Sequence, residues 1–135
     1  PDMACPVNTA WGYDNRTTAF RIPVSDPDSR RVENRLPSSD ANPYLALAAS
    51  LACGYLGLME QKKPKAEFKG DAYDGDGDIP QVLGSALDLF EEATTLHEVL
   101  GPEFARVYAI VKRAEYEEFL HVISPWEREH LLMNV

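Results

Sequence analysis

Between Arg30 and Leu36 the chain alternates as a strand does, so Arg31, Glu33 and Arg35 share one face and Val32, Asn34 and Leu36 the other. A guanidinium presents a planar fork of donors matched to phosphate and carboxylate oxygens. A carboxylate set between cations is a ligand type for Mg2+ or Mn2+. Such a face suits an anionic group held beside a divalent ion. The competing reading is the solvent face of an antiparallel ribbon with a cross-strand ion pair, which is common and contributes little.

The charge distribution bears on that choice. The net charge is −9, yet the first forty positions hold Arg16, Arg21, Arg30, Arg31 and Arg35 and no lysine, while from Ala41 on there are 16 acidic residues against 8 basic ones. An arginine-only cluster in an acidic chain suits a small polyanion such as a nucleoside triphosphate. The overall charge argues against nucleic acid and anionic membranes as partners. Hydrophobic residues make up 44% and charged ones 26% of 135 residues, the make-up of one small soluble domain with a core. No apolar run reaches the ~18–20 residues of a membrane span. The residues from Pro1 to Pro6 lack the pattern of a signal peptide. Cys5 and Cys53 form no metal or redox motif and read as reduced thiols of a cytoplasmic protein, Cys53 buried on a helix.

The elements that must position the arginines follow from turn and cap chemistry. Residues 1–16 read as loop, broken by Pro1, Pro6, Asn8 and Gly12. Thr17–Val24 reads as a strand, Ser25–Ser29 as a turn, and Arg30–Leu36 as the return strand of an antiparallel hairpin. In one register Arg21 joins Arg31, Glu33 and Arg35 on a single face; a slip of one residue reverses this. Asn42 and Pro43 open a helix running to about Gln61, apolar nearly all round and so expected to be buried. Lys62–Gly77 is polar and reads as solvated. Its Asp74–Asp78 run places Ile79 and Ser85 where a calcium loop needs glycine and glutamate, which counts against calcium.

Further helices are expected over Gln81–Glu92, Thr95–Leu100 and Pro102 to about Val122. Phe104, Val107, Tyr108, Val111, Tyr116 and Phe119 should face the core of the last of these. Ser124 to Glu127 forms a capping box for a final helix. His97, His121 and His130 stand singly and read as structural or solvated.

Three motifs in order give a resemblance. Asn15-Arg16-Thr17-Thr18-Ala19-Phe20-Arg21-Ile22-Pro23, the strand from Arg30 to Pro37, and Asn42-Pro43-Tyr44-Leu45-Ala46 together resemble the glutamine synthetase family. The resemblance covers essentially the whole chain and is densest over 11–57. Leu100 to Phe104 and Pro125 to Arg128 look most like the γ-glutamyl-polyamine synthetase branch.

The resemblance implies an α+β fold: the C-terminal fragment of a glutamine-synthetase-type catalytic domain, with a β-hairpin followed by four to five helices. Residues 1–40 would carry the active-site motifs and 41–135 the helical part. It implies a ligase of nitrogen metabolism that forms an acyl phosphate on the side-chain carboxylate of glutamate from ATP, from which ammonia or a polyamine then displaces phosphate. Arg16 matches a contact to phosphate and glutamate, Arg21 and Arg31 match nucleotide contacts, and Glu33 matches a ligand to Mg2+ or Mn2+. Arg35 matches the catalytic arginine that meets the substrate carboxyl or its phosphorylated form. The family's other metal ligands, its flap and its N-terminal β-domain are expected upstream, so these 135 residues alone are expected not to catalyse. Family members assemble as homo-oligomeric rings. Two readings from other classes remain: a non-catalytic helical assembly module, and a phosphotransferase acting on a guanidine.

Overall fold

Phe20 to Ile22 forms the middle strand of a small sheet in the computed structural model, which describes residues 5–132. This strand, β2, lies between β1 (Trp11–Tyr13) and β3 (Glu33–Asn34), in the order β1-β2-β3. The β2–β3 pair is antiparallel, as expected, and shorter than the two runs the alternation marks out. Its register sets Arg21 opposite Glu33 and Phe20 opposite Asn34.

The expectation of loop over residues 1–16 is corrected by β1, which pairs parallel to β2 with Trp11 beside Phe20 and Gly12 beside Arg21. Parallel neighbours usually need a connection of about a dozen residues or more. Here residues 14–19 suffice. The turn is held from within. Asn15 Oδ1 accepts from the Thr17 N–H and hydroxyl at 3.0 and 2.7 Å, and the fully buried Thr18 donates its hydroxyl to the Asn15 carbonyl at 2.9 Å.

A second correction concerns the segment read as solvated. Phe68 N–H donates to the Trp11 carbonyl at 2.9 Å, and the Trp11 indole N–H to the Lys65 carbonyl at 2.7 Å. Asn15 donates to the Gly70 carbonyl at 2.9 Å, and Ala72 N–H to the Thr17 hydroxyl at 2.8 Å. Asp78 accepts from the Thr9 N–H and hydroxyl at 2.6 and 2.7 Å. The acidic stretch is a strap along β1, because its polar groups find partners on that strand's flanks rather than in water.

Helix α1 (Pro43–Met59) starts where the cap predicts: Asn42 Oδ1 accepts from Tyr44 and Leu45 N–H at 3.0 and 3.3 Å. It is not buried. Ala52 alone on it is buried, while Leu51 and Leu58 are 73% and 80% exposed and Cys53 is exposed. An apolar pattern all round a helix states what it prefers to contact and supplies no partner by itself. Asn34 ties β3 to this helix through the Ser50 hydroxyl at 2.9 Å.

The chain divides into two compact units, within Pro1–Ile79 and Pro80–Val135. The second holds α2 (Leu83–Glu92), α3 (Thr94–Leu100), α4 (Pro102–Leu120) and α5 (Pro125–His130). Its core forms where α2 and α3 pack on α4, through Leu87, Ala105 and Ala109. The expected α4 core is therefore corrected. The small residues at 105 and 109, one turn apart, let the helices approach, and Phe104, Val107, Val111 and Phe119 are exposed. Arg113 fastens the same helices through Glu91 at 3.0 and 2.8 Å and through Asp88 at 2.5 Å. Ser124 and Glu127 complete the capping box of α5 at 3.1 and 2.7 Å. His97 bonds the Phe90 carbonyl at 2.7 Å, and His130 stacks on Trp126. Among the described residues no helix is long and apolar enough to cross a membrane.

Candidate functional site

The β2–β3 register carries the site. With Arg21 opposite Glu33, the guanidinium reaches across the ladder and donates from Nη1 to Glu33 Oε2 at 2.8 Å. Arg31 comes at the same carboxylate from its own strand, donating from Nε and Nη2 to Oε1 at 3.1 and 2.8 Å. Glu33 thus lies between Arg21 and Arg31, whereas the alternation sets it between Arg31 and Arg35. Hydrogen bonds from Arg21, then from Arg31, hold its carboxyl below the usual glutamate range. Arg21 itself is raised, first by its bond to Asp14 and then by that to Glu33.

Asp14 is the residue that sequence reasoning missed. Its carboxylate accepts from Arg21 Nη2, so the charges alternate Asp14, Arg21, Glu33, Arg31 across all three strands. It stands at the exit of β1 with φ 48°, in the left-handed region. No pattern in the sequence pairs it with Arg21, because the tight parallel return had no signal of its own.

Arg35 does not join that chain. Its Nη1 donates to the Thr18 carbonyl at 2.9 Å and to the Arg16 carbonyl, fastening the tight turn to the end of β3. The Arg35 N–H adds a bond to the Ala19 carbonyl at 2.9 Å. Arg16 sits in that turn and is exposed. The structure therefore brings Arg21, Arg31 and Glu33 together directly, and places Arg16 and Arg35 side by side at one end of the same sheet.

Glu33 offers one carboxylate for a divalent cation. Among the described residues no three His, Cys, Asp or Glu side chains gather as a ligand set, so the donor set present fits one ligand of such a site and not a complete one. The arginines fit oxyanions in both number and donor geometry. On the opposite side of the sheet, Trp11, Phe20, Ile22 and Val32 line an apolar cavity of about 450 Å3.

A small sheet with two arginines gathered around one carboxylate, followed by helices, is an α+β arrangement with a paired arginine–carboxylate face. Residues 1–131 match the family described as glutamine synthetase, catalytic domain, and the chain belongs to that family. It is 36% identical over 124 residues to glutamate–isopropylamine ligase of Pseudomonas sp, covering 89% of this chain and 27% of that protein. It is 37% identical over 135 residues to γ-glutamylputrescine synthetase PuuA of Escherichia coli K12, covering 99% and 29%. The solved structure of apo GmaS without ligand superposes with a TM-score of 0.81 at 35% identity, over 96% of this chain and 31% of that one. The chain thus spans less than a third of the length of these relatives.

Proposed function

We propose that this chain supplies the anion-binding part of an active site that joins ammonia or an amine to the γ-carboxylate of glutamate, using ATP and passing through a γ-glutamyl phosphate. Membership of the glutamine synthetase family supports the ligase class. Relatives named for isopropylamine and putrescine support an amine as acceptor, and the family's own description supports ammonia.

The observation that carries the reading is the clamping of Glu33 between Arg21 and Arg31 on one face of the sheet. Moving a phosphoryl group from ATP to a carboxylate shifts negative charge between oxygens, and the catalyst needs cations fixed in advance where that charge develops. In this assignment Arg21 and Arg31 bind nucleotide phosphate, Arg16 contacts phosphate and glutamate, and Arg35 meets the substrate carboxyl. Ion pairs and carbonyl bonds hold Arg21, Arg31 and Arg35 before any ligand arrives, which limits the reorganisation the reaction requires. Glu33 would hold Mg2+ or Mn2+, which when bound neutralises phosphate oxygens.

With one metal-ligating carboxylate in the site, the 135 residues by themselves are assigned nucleotide binding without turnover, and the complete reaction to a cytoplasmic homo-oligomeric ring enzyme. Calorimetric titration of ATP with Mg2+ into the chain tests the assignment. Heat of binding in the wild type that is lost in an Arg21→Ala, Arg31→Ala double variant is the expected result. Equal binding by both overturns the arginine roles, and ATP- and glutamate-dependent phosphate release by the isolated chain overturns the assignment of binding alone.

A further inference from the structure

Arg21 is held by two carboxylates from different strands. Glu33 takes its Nη1 from β3 at 2.8 Å, and Asp14 takes its Nη2 from the exit of β1. The two anchors are not equivalent. Glu33 is shared with Arg31 through its other oxygen, and in the reading proposed above it is the carboxylate that would hold a divalent cation. Asp14 bonds Arg21 through one oxygen and is not shared with Arg31.

The backbone fixes Asp14 for this contact. Its N–H donates to the Ile22 carbonyl at 2.9 Å, continuing the β1–β2 ladder, and its φ of 48° turns the chain sharply at that point. A left-handed residue with a β-carbon is unfavourable, although Asp tolerates the region better than most. Backbone strain of this kind persists where the surrounding structure demands it.

Arg21 needs a permanent counter-ion. Its side chain is 17% exposed, and its Nε is enclosed without a hydrogen-bond partner. Were Glu33 to leave for a metal with no second carboxylate present, a largely enclosed guanidinium would stay behind uncompensated, which is strongly unfavourable. With Asp14 in place one edge of the fork remains fixed while the other turns to an incoming oxyanion.

We propose that Asp14 is a positioning residue that keeps the Arg21 guanidinium in place when Glu33 is drawn to a divalent cation. The inference rests on the reading of Arg21 as a phosphate contact and Glu33 as a metal ligand. Its central claim, that Asp14 suffices to hold Arg21 without Glu33, is measurable with no ligand present.

Side-chain nitrogen NMR of the full chain, with Arg21 assigned through Arg21→Lys, reads rotation of the guanidinium directly. Glu33→Ala is expected to leave the Arg21 Nη protons resolved. Adding Asp14→Asn is expected to merge them. Asn and Gly both accept the left-handed backbone, so Asp14→Gly in the same background should merge them equally, which separates loss of the carboxylate from loss of the turn. Merging in Glu33→Ala alone, or resolved signals surviving in either double variant, overturns the proposal. Titration of ATP with Mg2+ distinguishes the underlying reading: if it leaves the wild-type Arg21 signals unmoved, the phosphate role falls and the anchoring result stands on its own. Where the wild type binds, Asp14→Asn should weaken binding about tenfold, and undiminished affinity overturns a role in positioning for phosphate.

Discussion

Arg35 Nη1 lies 2.9 Å from the Thr18 carbonyl oxygen, so a side chain at the end of β3 holds the turn that joins β1 to β2. The same nitrogen donates to the Arg16 carbonyl. One guanidinium therefore sets where Arg16 sits, and the two cannot be tested independently. Arg35→Ala should lower the stability of the sheet-bearing unit by about 1–3 kcal/mol, because charge-assisted bonds to the carbonyl of the buried Thr18 and to that of Arg16 are lost. Arg35→Lys should recover little, since the lysine nitrogen stops one bond short of the position from which Nη1 reaches both carbonyls. Denaturant midpoints of the three proteins check this, and a Lys variant matching the wild type would refute it.

Gly12 is where β1 and the strap approach each other. A β-carbon built there would lie 2.9 Å from the Phe68 carbonyl oxygen and 3.2 Å from Asn15 Cβ. The first neighbour is backbone, and the Phe68 N–H is tied to the Trp11 carbonyl, so this segment cannot yield as a flexible side chain would. Gly12→Ala should destabilise this unit by about 1–3 kcal/mol, the usual range for overpacking. An alanine variant as stable as the wild type in urea would show that the strap moves freely.

What could be read in advance divides by the range of the signal. Asn42 with Pro43, and Ser124 with Glu127, announce helix starts through contacts spanning two or three residues, and both caps formed. Arg21 and Glu33 could be placed on opposed strands by alternation, leaving only the register to the structure. Asp14 was not legible. Its contact depends on a parallel return of a length that ordinary loop rules disfavour, around a three-residue strand with glycine at its centre. Asp78 was likewise hidden, because its partner Thr9 lies 69 residues away and polar loop composition does not say where its groups bond. The apolar pattern of α1 was legible while its exposure was not, since a pattern states a preference and not what satisfies it.

Asp78 gives the strap a pH dependence with a definite sign. Bonds from the Thr9 hydroxyl and N–H, together with Lys65, hold its carboxyl below the usual aspartate value. A group depressed in the folded state stabilises it above the unfolded pKa of ~3.9 and loses that contribution as pH falls through the lower folded value. The stability difference between wild type and Asp78→Asn should therefore be full at pH 6 and shrink below about pH 4. Urea melts of both proteins across that range test it, and a difference independent of pH would remove the carboxylate's charge from the account.

Helix α1 presents Tyr44, Leu47, Leu51 and Leu58 along one side at 82%, 63%, 73% and 80% exposure, with no charged residue between Pro43 and Met59. These positions follow the three- and four-residue spacing of a helix stripe. Contiguous apolar surface of that kind drives association unless something covers it, at roughly 25 cal/mol for each Å2 removed from water. The isolated chain should accordingly self-associate as its concentration rises. Leu51→Glu with Leu58→Glu should weaken that association at least about tenfold, because each carboxylate would have to be desolvated at the contact. The substitutions fall on exposed positions, so the fold itself should survive, and an unchanged far-ultraviolet circular dichroism spectrum checks that point. Sedimentation velocity over a concentration series decides the matter. A double variant that sediments like the wild type would place the contact elsewhere, with the exposed Phe119 and Leu120 of α4 as the next stripe to charge.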